Sequence, residues 1–175
     1  EHAERWGRFS FLGRDPALTL VARGRQIEWH GGFAPHGVPS DQGVLAALEA
    51  LLARYRAPTL PELPPFHGGI VGWLGYDTVR EIERLPNVPE DDLGYADAVL
   101  SLAGQVVAFD HFRQRMFVIE NVYPPPNADD LALEALYRQA GNRIAQATEE
   151  IGRPLPYVPA LPPAAELTEL PEVKR

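Results

Sequence analysis

The chain has 175 residues, 45 % of them apolar, enough for one domain with a buried core and too many for a disordered chain. Its formal net charge of -8 argues against a nucleic-acid partner, because a basic face supplies most of that affinity. It contains no cysteine, which excludes disulfides, thiolate metal sites and cysteine nucleophiles, and no apolar run approaches the ~20 residues of a membrane span.

Residues 1–20 are broken by charges and by Pro16, so no signal peptide is read and a cytoplasmic protein is expected. The segments "RFSFL", "ALTLVA" and "RQIEWH" alternate or run apolar as strands do. Gly24 lies between the last two as a turn residue, and Asp15-Pro16 is a second turn signal. A helix is expected over Asp41–Arg56, with Ser40 as its N-cap and Val44, Leu45, Leu48, Leu51, Leu52 and Tyr55 as one apolar stripe. The prolines of "APTLPELPPF" end it.

"GGIVGWLGYD" follows, with glycines at 68, 69, 72 and 75. A dinucleotide loop would need small residues where Trp73 and Leu74 stand, and a P-loop would need Gly-Lys-Ser/Thr. The run reads better as a strand whose glycines let another element pack closely. "DTVREIERLP" is read as a short helix capped by Asp77 and closed by Pro86. "AVLSLAGQVVAFD" reads as one long strand with a bulge at Gly104. Leu100, Leu102 and Val106 are assigned to one side and Val99, Val107 and Phe109 to the other, so cover is expected on both faces. "RMFVIENV" is its partner through the connection "DHFRQ". A long helix is expected over Ala128–Ile151, capped by Asn127, with Leu133, Leu136, Ala140, Ile144, Ala147 and Ile151 on one face. Strands, helix, strands, helix, without βαβ alternation, give an α+β fold of antiparallel sheets packed with helices. The domain is placed at residues 1–152, and the proline-rich residues 153–175 are read as a linker.

No constellation of catalytic residues is evident. His30 and His36 bracket a loop, but no two histidines have the i, i+4 spacing of a helical zinc pair. Asp110 and His111 suggest a base and its orienter, yet strand neighbours face opposite ways, so turn chemistry is the better reading, with Asp110 bonding nearby backbone N–H groups. Glu90, Asp91 and Asp92 form an acidic loop, a pattern that is usually only solvated.

"RWGRFSFLGRDP", "PPFHGGIVGWLGYDTVREIERLP", "DDLGYADAVL" and "VVAFDHFRQRMFVIENV", in this order and spacing, resemble the N-terminal region of anthranilate synthase component I, a chorismate-utilising family. Aminodeoxychorismate synthase component I shares much of this pattern, and a free-standing amino-acid-binding module is the reading from another class. The resemblance implies that the whole enzyme converts chorismate and ammonia to anthranilate and pyruvate with Mg²⁺. A glutamine amidotransferase subunit or domain would supply the ammonia, and tryptophan would inhibit. It places the chorismate and Mg²⁺ sites in a C-terminal domain beyond residue 175, leaving no catalytic or metal residue in this chain. The tryptophan site is implied in part here: Arg5 matches a basic residue that helps bind the inhibitor, and Ser10 lies on a strand lining its pocket. The Leu-Leu-Glu-Ser block that should precede Glu1 is not in the sequence. The chain alone is therefore expected to be inactive and to bind tryptophan weakly or not at all.

Overall fold

A computed structural model describes residues 7–154. Among these residues seven strands form two antiparallel sheets, and two α-helices and one short 3-10 helix accompany them. The strands are β1 (Phe9–Arg14), β2 (Leu18–Arg23), β3 (Gln26–Gly31), β4 (Ile70–Leu74), β5 (Ala98–Leu102), β6 (Gln105–Asp110) and β7 (Arg115–Glu120). The helices are α1 (Val44–Arg54) and α2 (Asp130–Gly152), and the 3-10 helix is Tyr76–Glu81. One sheet has the order β3-β2-β5-β4, the other β1-β6-β7. The architecture is the expected α+β arrangement of antiparallel sheets with helices.

The four-stranded sheet carries the apolar core. Leu18, Leu20 and Ala22 of β2 alternate with half-buried residues, and Ala98, Leu100 and Leu102 of β5 stand beside them on the same face. Val44, Ala47 and Leu51 of α1 close over that face, all at most 3 % exposed. The β2–β3 hairpin turns at Gly24, where φ is +55° and a side chain would be strained.

Residues 98–110 are two strands in different sheets rather than one long strand. The chain passes between sheets at Ala103-Gly104, directly against a second passage at Asp15–Ala17. A Cβ at Gly104 would collide with the Asp15 carbonyl oxygen, so Gly104 marks a crossing rather than a bulge. The Ala17 N–H donates to the Leu102 carbonyl at 3.0 Å, and the Asn121 side-chain amide donates to the carbonyls of His67 and Gly104. These bonds satisfy backbone groups that the change of sheet takes out of the ladders. The change also separates the expected two-sided pattern. Leu100, Leu102, Val106 and Val107 are buried, but Phe109 is 37 % exposed.

All three predicted caps are corrected. Helix α1 starts at Val44, not Asp41, and has no local side-chain cap. Glu81, brought over by the 3-10 helix, accepts from the backbone N–H groups of Val44 (2.7 Å) and Leu45 (3.0 Å) instead. Gly43, at φ +96°, leaves room for that carboxylate, which a Cβ would hit. The Ser40 carbonyl accepts from the Ile27 N–H. Asp77 caps nothing; it accepts from Arg80 Nε at 2.6 Å. Helix α2 is capped by Asp129, which accepts from the Ala132 N–H at 2.8 Å, not by Asn127. Of its expected apolar face only Ala147 is fully buried, while Leu133 and Ile151 are each 43 % exposed. The proposed linker falls almost wholly outside the described residues.

Candidate functional site

The close-packing reading of the glycine run holds. Residues 70–74 form β4, and Cβ atoms at Gly72 and Gly75 would strike the carbonyl oxygens of Val99 and Asp97 in and beside β5. The backbone of this segment is therefore spent on a strand neighbour, not presented to a phosphate.

Of the two candidate inhibitor-binding residues, Arg5 lies outside the described residues. Ser10 sits on β1 and is exposed, with its Oγ 2.7 Å from Nε2 of His111 at the end of the β6 ladder. This is a serine–histidine hydrogen bond, but Asp110 does not orient the imidazole. Its carboxylate turns instead to Arg8, which donates from Nε at 3.0 Å and from Nη2 at 2.8 Å. Arg115 Nε stands 3.6 Å away on the other side, and the Arg113 N–H donates at 3.1 Å. Hydrogen bonding from Arg8, set against the desolvation of a side chain with no exposed surface, holds the Asp110 carboxyl well below the usual carboxylate range. The Arg8 guanidinium also lies 4.7 Å from the Phe9 ring centroid and 5.7 Å from that of Phe112. Turn chemistry at Asp110 is thus correct, but the arginine partner was not foreseen. Arg8 and Asp110 are 102 residues apart, and only the β1–β6 pairing joins them.

Chemically, this cluster is a buried carboxylate held by two arginines beside a Ser–His pair. Among the described residues the contacts of His111 include no carboxylate that would orient its ring for general-base work. The other candidates do not converge on it. His30 is 3.7 Å from Glu28 on exposed surface. Asp91 accepts from the N–H groups of Leu93 and Gly94, as a turn residue does. Among the described residues no group of three or more histidines and carboxylates is arranged to hold a metal ion.

A groove of about 630 Å³ opens where α1 ends, lined by Tyr55, Arg54, Arg56, Ile70, Asn121 and Tyr123 among others. Burial and the neighbouring Tyr55 push the Tyr123 phenol up to about 12, and its hydroxyl donates to the Ala103 carbonyl at 2.7 Å. Phe33, Tyr55 and Tyr123 pack as an aromatic trio, with centroids 5.2 to 6.1 Å apart. The phenol thus stays neutral and ties the groove to the sheet crossing.

No protein-family model matches the chain. Among curated proteins, anthranilate synthase component 1 of Mycolicibacterium smegmatis is 36 % identical over 155 residues, which is 89 % of this chain and 29 % of the relative. The chain is homologous to anthranilate synthase component 1. The protein of that name from Acetivibrio thermocellus is 31 % identical over 86 % of this chain and 29 % of its own length. The crystal structure of anthranilate synthase component I from Streptococcus pneumoniae superposes with a TM-score of 0.61 at 25 % identity, over 85 % of this chain and 30 % of that one. The chain therefore spans about three tenths of the length of the anthranilate synthase components it matches.

Proposed function

We propose that this chain is the N-terminal, regulatory and scaffolding portion of an anthranilate synthase component I. In full length that enzyme would make anthranilate and pyruvate from chorismate, in tryptophan biosynthesis. The observation that carries this reading is 36 % identity sustained over 89 % of the chain. In this reading Mg²⁺ and chorismate bind elsewhere in the longer polypeptide, ammonia comes from a glutamine amidotransferase, and tryptophan acts as feedback inhibitor. Ser10 and Arg5 remain the proposed residues for tryptophan.

A chimera tests the proposal. This chain replaces the matching segment of the Mycolicibacterium smegmatis protein, and the product is assayed with chorismate, ammonia and Mg²⁺. Anthranilate fluorescence is expected from the chimera and none from the chain alone. An aminodeoxychorismate product, or turnover by the chain alone that survives repurification, would overturn the assignment. Adding L-tryptophan to the chimera, with and without Ser10→Ala, tests the inhibitor reading through the shift in half-inhibitory concentration.

A further inference from the structure

A surface helix is normally seated by an apolar stripe. Helix α2 has 23 residues, yet Ala147 is its one buried residue. Leu136, Ala140 and Ile144 are half-buried, and Leu133 and Ile151 are exposed. The helix lies against β7, an edge strand of the three-stranded sheet. Both sides of that contact are described residues, so the seat is defined without the rest of the polypeptide.

Charge holds α2 in place. Arg143 Nε stands 3.0 Å from Glu120 at the end of β7, and Arg143 Nη2 stands 3.5 Å from Asp15. Arg14 Nη1 donates to Glu150 at 2.6 Å. The side chains of Arg14, Asp15, Arg143 and Glu150 are between 34 % and 59 % exposed. Ion pairs this open to water contribute little each and weaken with salt. Glu120, 5 % exposed, is the exception, and it also accepts from Gln105 Nε2 at 3.0 Å. Because α2 lies over β7, lifting it would return Glu120 to water rather than strand a buried charge.

These ties converge on the passage between the sheets, where the Asp15 carbonyl lies against Gly104, next to Gln105. The buried Gln105 side-chain oxygen has no hydrogen-bond partner among the described residues. A buried acceptor without a donor marks a network that is not fully satisfied with α2 docked. The core of the four-stranded sheet, by contrast, contains no residue of α2.

We propose that α2 is a detachable strap. It lifts from the three-stranded sheet as one unit, breaking the pairs of Arg143 and Arg14, while the four-stranded sheet and α1 stay folded. Local opening of this kind belongs to regions with sparse apolar contact and exposed polar ties. Once lifted, the helix frays, since a helix without tertiary packing is marginal in water. Because α2 runs into residues 153–175, anything that seats or pulls on that segment acts through Arg143 on the passage between the sheets. The inference is independent of the enzyme assignment.

Hydrogen exchange on the unaltered chain at neutral pH tests it. Raising NaCl from about 0.01 M to about 1 M shortens the Debye length from ~30 Å to ~3 Å. The amides of α2 should then exchange at least about tenfold faster, while those of α1 and β5 change less than about twofold. Arg143→Met keeps the stem and removes both of its pairs, so it should speed α2 exchange about tenfold at low salt and abolish most of the salt response. Glu150→Gln loosens only the Arg14 pair and should act in the same direction, about twofold. Arg138→Met, which loses only a pair within the helix to Glu134, is the control that changes neither. The chain has no cysteine, so spin labels introduced by Tyr137→Cys in α2 and Glu28→Cys in β3 report the separation directly. One distance at low salt, joined by a second, broader population at high salt, is expected. Exchange of α2 indifferent to salt, a salt response that survives Arg143→Met, opening of α1 together with α2, or a single unchanged distance overturns the proposal.

Discussion

The two sheets are held by different forces. The four-stranded sheet and α1 share a cluster of ten buried apolar residues, with Leu18 and Val44 each 1 % exposed. Around the three-stranded sheet, charge does much of that work. Arg8 grips Asp110, Arg14 reaches Glu150 at 2.6 Å and Arg143 reaches Glu120 at 3.0 Å. Buried apolar residues are concentrated in β6, and α2 contributes only Ala147. Phe11, Leu12, Phe109, Met116 and Leu133 remain partly open to water on this side. The first region is closed by burial where α1 covers it, although Val71, Trp73 and Leu74 of β4 stay about half exposed. The second is pinned in register by ion pairs but still presents apolar surface, as expected of a face that meets a neighbour.

The junction between the regions offers the largest expected effect. Gly104→Val forces a side chain into the Asp15 carbonyl, where backbone cannot give way, and should destabilise by about 3 kcal/mol or more. Urea melts would show it, and an unchanged midpoint would mean the crossing relaxes freely. Next, Leu51→Ala in α1 should cost about 2–5 kcal/mol, while Leu133→Ala in α2, already 43 % exposed, should cost less than about 1 kcal/mol. Equal losses would erase the distinction between the two halves. Glu81→Gln removes the charged cap on α1 and should cost about 0.5–2 kcal/mol, read as a lower thermal midpoint.

Acid separates the halves last. Asp110 and Glu150 are both held below their ordinary values, chiefly by hydrogen bonds from Arg8 and Arg14. A carboxylate depressed in the folded state contributes stability above its unfolded value, about 4, and loses it as pH falls toward the folded value. Hydrogen exchange below pH ~4 should therefore open β1, β6 and β7 before the four-stranded sheet. Simultaneous loss of protection would show that the ion pairs carry no separate weight.

Much of the fold was legible because it is local. Alternation in "ALTLVA" and the helical stripe from Val44 to Leu51 encode their own burial, and Gly24 encodes its turn. The misplaced features are long-range. The largely apolar stretch from Ala98 to Phe109 carries no sign that the strand changes sheets, because what marks the change is the Asp15 carbonyl lying against Gly104. The α1 cap is supplied by Glu81, 37 residues away from Val44, so the nearby Ser40 misled. At the candidate site Ser10 was named, but its partner His111 and the Arg8–Asp110 anchor depend on a pairing register that no motif announces.

The double crossing also sets a schedule for the chain as it is made. Asp15 and Ala17 find their backing only when Gly104 arrives, about 90 residues later. At roughly 5–20 residues per second, the ribosome holds β1 without its sheet partner for some 5–20 s. The β2–β3 hairpin can close early, but β1 must wait, open to chaperones or to other nascent chains. A force-sensing arrest sequence placed at successive lengths should therefore register β1 docking only after β6 has left the exit tunnel, and a pull at shorter lengths would contradict this order.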